Sequence, residues 1–172
     1  GGFSMWFHVI LDGLAMSLVF TLTLCLVSYM DPQAFTRMYP LGIQKIAPPI
    51  PKDSNRRKNL MLALLWSFVL LFSIASNYLN GVRGFWPLFL AGYVQLFLVD
   101  MGDFFGWNIL FREKMGRRLH LPGTEDSPLY SRRNWLVRMA IPNHFGIWLV
   151  GICPLGGLVN VGAVSLMTFL FG

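Results

Sequence analysis

Four long apolar stretches, at 6–29, 60–79, 85–111 and within 136–171, decide what this chain can fold into. A helix rising about 1.5 Å per residue needs about 20 residues to cross about 30 Å of hydrocarbon, and each stretch meets that length. Their apolar residues follow neither a clean 3.6 period nor a clean alternation. They are apolar on every face, as helices in lipid are. Charged residues make up 13% of the 172 residues, against about 25% in a soluble domain, too few to cover a surface in water. The expectation is an all-α bundle, a single membrane domain over 1–172 with about four transmembrane helices. The first stretch exceeds the core of a signal peptide and follows no basic region, so it reads as a retained span.

Charge gives the orientation. Arg37, Lys45, Lys52, Arg56, Arg57 and Lys58 lie between the first and second stretches. Arg112, Lys114, Arg117, Arg118, Arg132, Arg133 and Arg138 lie between the third and fourth or open the fourth. Arg83 alone lies between the second and third. Positive loops stay cytoplasmic. Loops 30–59 and 112–134 are therefore expected inside and both termini outside, in a cytoplasmic (inner) membrane. The same distribution, basic residues gathered in the loops between spans, favours anionic lipid headgroups over nucleic acid as their partner.

The loops have their own grammar. Ala47-Pro48-Pro49-Ile50-Pro51 is extended or polyproline-like chain, and Gln33–Ile46 has the alternation of a short helix lying at the interface. Leu121-Pro122-Gly123-Thr124-Glu125-Asp126 contains a turn. His120 reads as a solvated loop residue, and Tyr130 with Arg132-Arg133 returns the chain to the headgroups. Cys25 and Cys153 fall inside spans, form no CxxC pattern, and read as small apolar residues.

Ionisable groups at membrane depth are costly and mark function or partner contacts. Asp100 and Asp103 on the third span lie about 60° apart around a helix and can face one cavity. Counted from Phe85, Asp100 is about 22 Å in, and His144, beside Asn143, is about 9 Å in from Arg138 on the opposed fourth span. Asp100, Asp103, His144 and Asn143 form the leading candidate site, for a shared proton or a bound cation. His8 and Asp12, four apart on the first span, are a secondary pair, and Glu125 and Tyr130 are secondary loop candidates. Gly102 and Gly106 are spaced for close helix approach on a face away from the aspartates. Gly151, Pro154, Gly156-Gly157 and Asn160 read as a kink with tight packing.

Several of these features fall in one order: Tyr39-Pro40-x-x-Ile43-Gln44, Pro48-Pro49, the spaced aspartates, Pro122-Gly123-Thr124-Glu125, Tyr130 and His144. Over most of its length the chain resembles a family of small, uncharacterised prokaryotic multi-pass membrane proteins with a Pro-Gly-Thr-Glu turn after an aspartate-bearing span. The resemblance implies four spans in the cytoplasmic membrane and no particular activity.

Three functions stay open on sequence. The first is proton, cation or small-solute binding or transport through a cytoplasmic-side Asp/His pocket, which needs an oligomer because four spans enclose little pathway. The second is an accessory subunit of a larger membrane complex. The third is an inner-leaflet lipid-modifying enzyme, with an aspartate as base or metal ligand and Arg117 and Arg118 on a phosphate. No nucleophile motif, phosphate loop or HExxH supports the common hydrolases, and no cofactor or metal is assigned.

Overall fold

The computed structural model describes residues 2–171, and all regular structure among them is helical. Four helices are long and apolar enough to cross a membrane, which fits a membrane protein. We number them α1 (Gly2–Met30), α2 (Lys52–Leu79), α3 (Phe85–Leu119) and α4 (Arg132–Phe171). They form an up-and-down bundle in which α1 packs chiefly on α3, α3 on α4, and α2 closes the ring against α1 and α4. Outward faces stay apolar: Leu14, Leu18, Leu22 and Leu26 form an exposed ridge along α1, and Leu155, Leu158 and Leu166 remain exposed on α4.

Small residues set the two closest helix pairs. A Cβ added at Gly102 on α3 would collide with Ser17 Oγ on α1 and come within 3.0 Å of Thr21 Oγ1. The pair Gly102 and Gly106 thus does what its spacing suggests, facing α1 and not the aspartate site. On the other side of α3, a Cβ at Gly157 of α4 would stand 2.7 Å from the Phe89 carbonyl oxygen, and Gly156 lies against Leu96. Gly156 and Gly157 therefore serve packing, while nothing lies within 4 Å of a Cβ at Gly151, and the helix runs unbroken through Cys153–Phe171.

Helix limits differ from the hydropathy limits for a simple reason: hydropathy marks where hydrocarbon would be, not where hydrogen bonding stops. Helix α2 begins at Lys52, behind Pro51, and adds a polar turn with Asp53 near its start before the apolar run at 60. Helix α4 likewise opens at Arg132, ahead of its apolar run. The stretch 33–46 is not one interfacial helix. A 3₁₀ turn Pro32–Met38, capped by Asp31, gives way at Tyr39-Pro40 to the single turn Leu41–Gln44, because proline cannot continue the helix before it.

Two helices widen into π turns: α3 at Asp103–Phe111, and α4 at Leu136–Ala140 and Pro142–Ile152. Pro142 supplies the reason in α4, since it lacks an N–H and crowds the preceding turn. These wide turns are frequent where a helix carries function.

Both longer loops lie at one end of the bundle and pack on each other. Tyr39 donates its hydroxyl to the Leu119 carbonyl at 2.8 Å, and its ring meets Trp135 edge-on at 5.1 Å. The short α2–α3 turn at the opposite end uses Gly81 and Gly84 at positive φ, where a side chain would be strained. Every basic residue but Arg83 therefore sits at the loop end.

Candidate functional site

Polar side chains gather inside the bundle in two tiers, neither of them exposed on an outer face. The tier nearer the basic end belongs to α3 and α4. His144 places Nδ1 at 2.5 Å from Asp100 Oδ1, while its Nε2 lies 3.0 Å from Asn108 Nδ2 and 4.0 Å from Asp103 Oδ2. Asp100 is completely buried and His144 is 1% exposed. The imidazole thus stands between two carboxylates.

Hydrogen-bond logic fixes which way this chain of contacts runs. An indole N–H can only donate, and Trp135 Nε1 donates to Asn108 Oδ1 at 3.0 Å. That assigns the amide of Asn108, so its Nδ2 is the group facing His144. Nδ2 donates, so Nε2 accepts, and the proton of the neutral imidazole sits on Nδ1, directed at Asp100. Two carboxylate oxygens, Asp100 Oδ2 and Asp103 Oδ1, are buried with no hydrogen-bond donor among the described residues. Buried carboxylate oxygens without donors are expensive, and invite a proton, water or a cation. Among the described residues, no three His, Cys, Asp or Glu side chains are placed to hold one metal ion.

The second tier is uncharged. Ser73 and Asn77 of α2, Gln95 of α3 and Asn160 of α4 are all buried, and close a ring of hydrogen bonds. Ser73 donates to Gln95 Oε1 at 2.6 Å, and Asn77 donates to Gln95 Oε1 at 3.0 Å and to Asn160 Oδ1 at 2.8 Å. Asn160 donates in turn to Ser73 Oγ at 2.9 Å. Gln95 precedes Asp100 by five residues, about 7.5 Å along α3. Nearer the Arg83 end, the hydroxyl of Ser76 hydrogen-bonds the Asp12 carboxylate.

The structure unites Asp100, Asp103 and His144, the core of the sequence-predicted site. Asn143 lines the same cavity without bonding to the cluster. His8 and Asp12 form no hydrogen bond with each other, because Asp12 turns to Ser76 on α2. Glu125 stays in the loop, where its own backbone N–H and that of Gly123 hold its carboxyl below the usual range. Tyr130 is buried in a different place: its hydroxyl accepts from Leu121 N at 2.9 Å and pairs with the Thr124 hydroxyl at 2.7 Å. Asn108, Trp135, Ser73, Asn77 and Gln95 were not singled out in the sequence, and Asn160 was read only as part of a kink. A lone amide in an otherwise apolar span was the available signal.

A cavity of about 360 Å³ opens beside the charged tier. Its wall combines Asp103, Asn108 and His144 with Phe20, Leu24, Trp66 and Trp148, and Arg37 and Arg138 line it as well. A smaller one of about 210 Å³ lies among the loops, around Arg112, Tyr130 and His120. There Arg112 donates to the Tyr130 carbonyl at 2.8 Å, and its guanidinium lies 4.5 Å from the Trp135 ring centre.

His120 is not simply solvated. It stacks on Tyr130 at 3.8 Å between ring centres, and its Nδ1 donates to the Glu125 carbonyl at 3.0 Å. Burial lowers its pKa, with Arg117 and Arg112 adding to that, while the Glu125 carbonyl opposes them. A folded value below the unfolded one means the neutral stack stabilises the loop above about 6.5 and loses its contribution as pH falls through the folded value. Amide exchange over 117–130, corrected for intrinsic rate, is expected to accelerate on acidification, and to lose that pH response in His120→Phe. A wild-type loop with pH-independent protection would refute this.

Compared with known proteins, the chain matches no family model, no curated protein and no solved structure.

Proposed function

We propose that this chain is a multi-pass protein of the cytoplasmic membrane that binds protons at Asp100, His144 and Asp103 and passes them across the bilayer. The basic loop end faces the cytoplasm in this reading, by the rule that positive loops are retained inside. The observation that carries it is the imidazole held between two buried carboxylates, with one oxygen on each carboxylate left without a donor.

Magnitudes favour function over structure. An aspartate at the centre of a span costs about 2.5–3.5 kcal/mol on insertion scales, an upper bound for Asp100 and Asp103 in the cytoplasmic half. A side-chain hydrogen bond between membrane helices returns about 0.6 kcal/mol on average and at most about 1.7. Two aspartates are therefore not repaid by their contacts. The proton is favoured over a metal ion because His144 occupies the space between the carboxylates where an ion would sit. The amide ring and the Asp12–Ser76 pair continue polar groups from the cluster toward the Arg83 end, a series of stations through the apolar bundle.

The test is proton flux. Purified protein in liposomes, driven by a potassium diffusion potential and read by an internal pH dye, is expected to move protons several times faster than protein-free liposomes. Flux equal to that of protein-free liposomes would dispose of the proposal.

A further inference from the structure

The cavity beside the cluster has a composition that proton transfer alone does not require. Arg37 and Arg138 line it, both exposed, and neither side chain makes an ion pair or hydrogen bond among the described residues. Apart from the polar groups of the charged tier, Asp103, Asn108 and His144, with Asn143 and Gln44, the wall is mainly aromatic and aliphatic, with Phe20, Leu24, Trp66 and Trp148 from α1, α2 and α4. Two free guanidiniums beside an apolar slot match a molecule with an anionic head and a hydrocarbon chain. Guanidinium suits phosphate or carboxylate through paired N–H donors, and the slot suits the chain through burial.

Position agrees with composition. Arg37 follows α1 in the first loop and Arg138 lies in the first turns of α4, so both are at the basic end. Met38 and Leu41, on the same rim, are 37% and 72% exposed, which suits a rim that faces lipid. A volume of about 360 Å³ lies within the range of small-molecule pockets, about 300–1,000 Å³, and would take a head group and part of one chain.

We infer that this cavity binds a membrane amphiphile with an anionic phosphate or carboxylate head, the head between Arg37 and Arg138 and one chain along Phe20, Leu24, Trp66 and Trp148. The inference rests on the preceding reading for the membrane setting and not for the proton chemistry. The two therefore fail separately.

The test is equilibrium binding to the whole chain in a neutral detergent, read by native mass spectrometry. Three probes are compared: phosphatidylglycerol, phosphatidylcholine with the same chains, and inorganic phosphate. Phosphatidylglycerol is expected to bind at least tenfold more tightly than phosphatidylcholine, and inorganic phosphate more weakly than either. The double variant Arg37→Gln, Arg138→Gln should abolish the preference, and it should fold, since neither side chain supports another residue. Trp66→Ala should weaken phosphatidylglycerol without restoring phosphatidylcholine. Asp100→Asn should leave the preference intact even where proton flux is lost. Equal binding of the two lipids, or a preference that survives the double arginine variant, would overturn the site. Inorganic phosphate binding as tightly as phosphatidylglycerol would show a head-group site alone, and overturn the amphiphile.

Discussion

Liposomes carrying Asp100→Asn are expected to conduct protons at least tenfold more slowly than wild type. Asparagine keeps the shape of aspartate and can still accept from His144 Nδ1, so the Trp135–Asn108–His144 alignment survives. What is lost is the ability to gain and release a proton. A tenfold loss corresponds to about 1.4 kcal/mol on the barrier. His144→Gln should lose as much, since both carboxylates address the one imidazole. Asp103→Asn should lose less, because Asp103 is 4.0 Å from the ring and outside hydrogen-bond range. If Asp100→Asn folds normally and conducts as wild type, the cluster is not the proton path.

The largest structural loss is expected at Gly102. A methyl group there would meet Thr21 Oγ1 at 3.0 Å and Ser17 Cβ at 3.2 Å even if the Ser17 hydroxyl rotated aside. Gly102→Ala is therefore expected to cost about 1–3 kcal/mol, the usual range for overpacking. Gly102→Leu should prevent α1 from docking on α3 and leave no folded bundle. Unfolding in bicelles would measure both. Gly151 is the control: nothing lies within 4 Å of its added Cβ, so Gly151→Ala should gain up to about 1 kcal/mol of helix propensity. Equal effects at the two glycines would remove the close approach from the account of the fold.

These two positions also show what could be read ahead of the structure. Gly102 and Gly106 were legible because small residues four apart on an apolar helix have few uses. Asp100, Asp103 and His144 were legible because charge is conspicuous in hydrocarbon, and counting residues gives depth at about 1.5 Å each. Asn108 was not. It lies five residues beyond Asp103, a spacing that points elsewhere on an ordinary helix and joins the cluster only because α3 widens at Asp103–Phe111. Asn77 and Gln95 stayed hidden, and Asn160 read only as part of a kink, for another reason. A single amide reads as a tolerated exception, and only three-dimensional pairing across α2, α3 and α4 makes the set coherent. The break at Tyr39-Pro40 was misread as helix because alternation outweighed the proline. The burial of Tyr130 depends on the other loop, which no local pattern reports.

Trp135 joins the loop end to the interior. Its ring is covered by the Arg112 guanidinium and edged by Tyr39, while its indole N–H is what orients Asn108 against His144. The tautomer of a buried histidine is therefore written near the loop end, by the fourth residue of α4. Were the first turn of α4 to lift, the Asn108 amide would lose the donor that orients it and could turn an acceptor toward the imidazole where it now turns a donor.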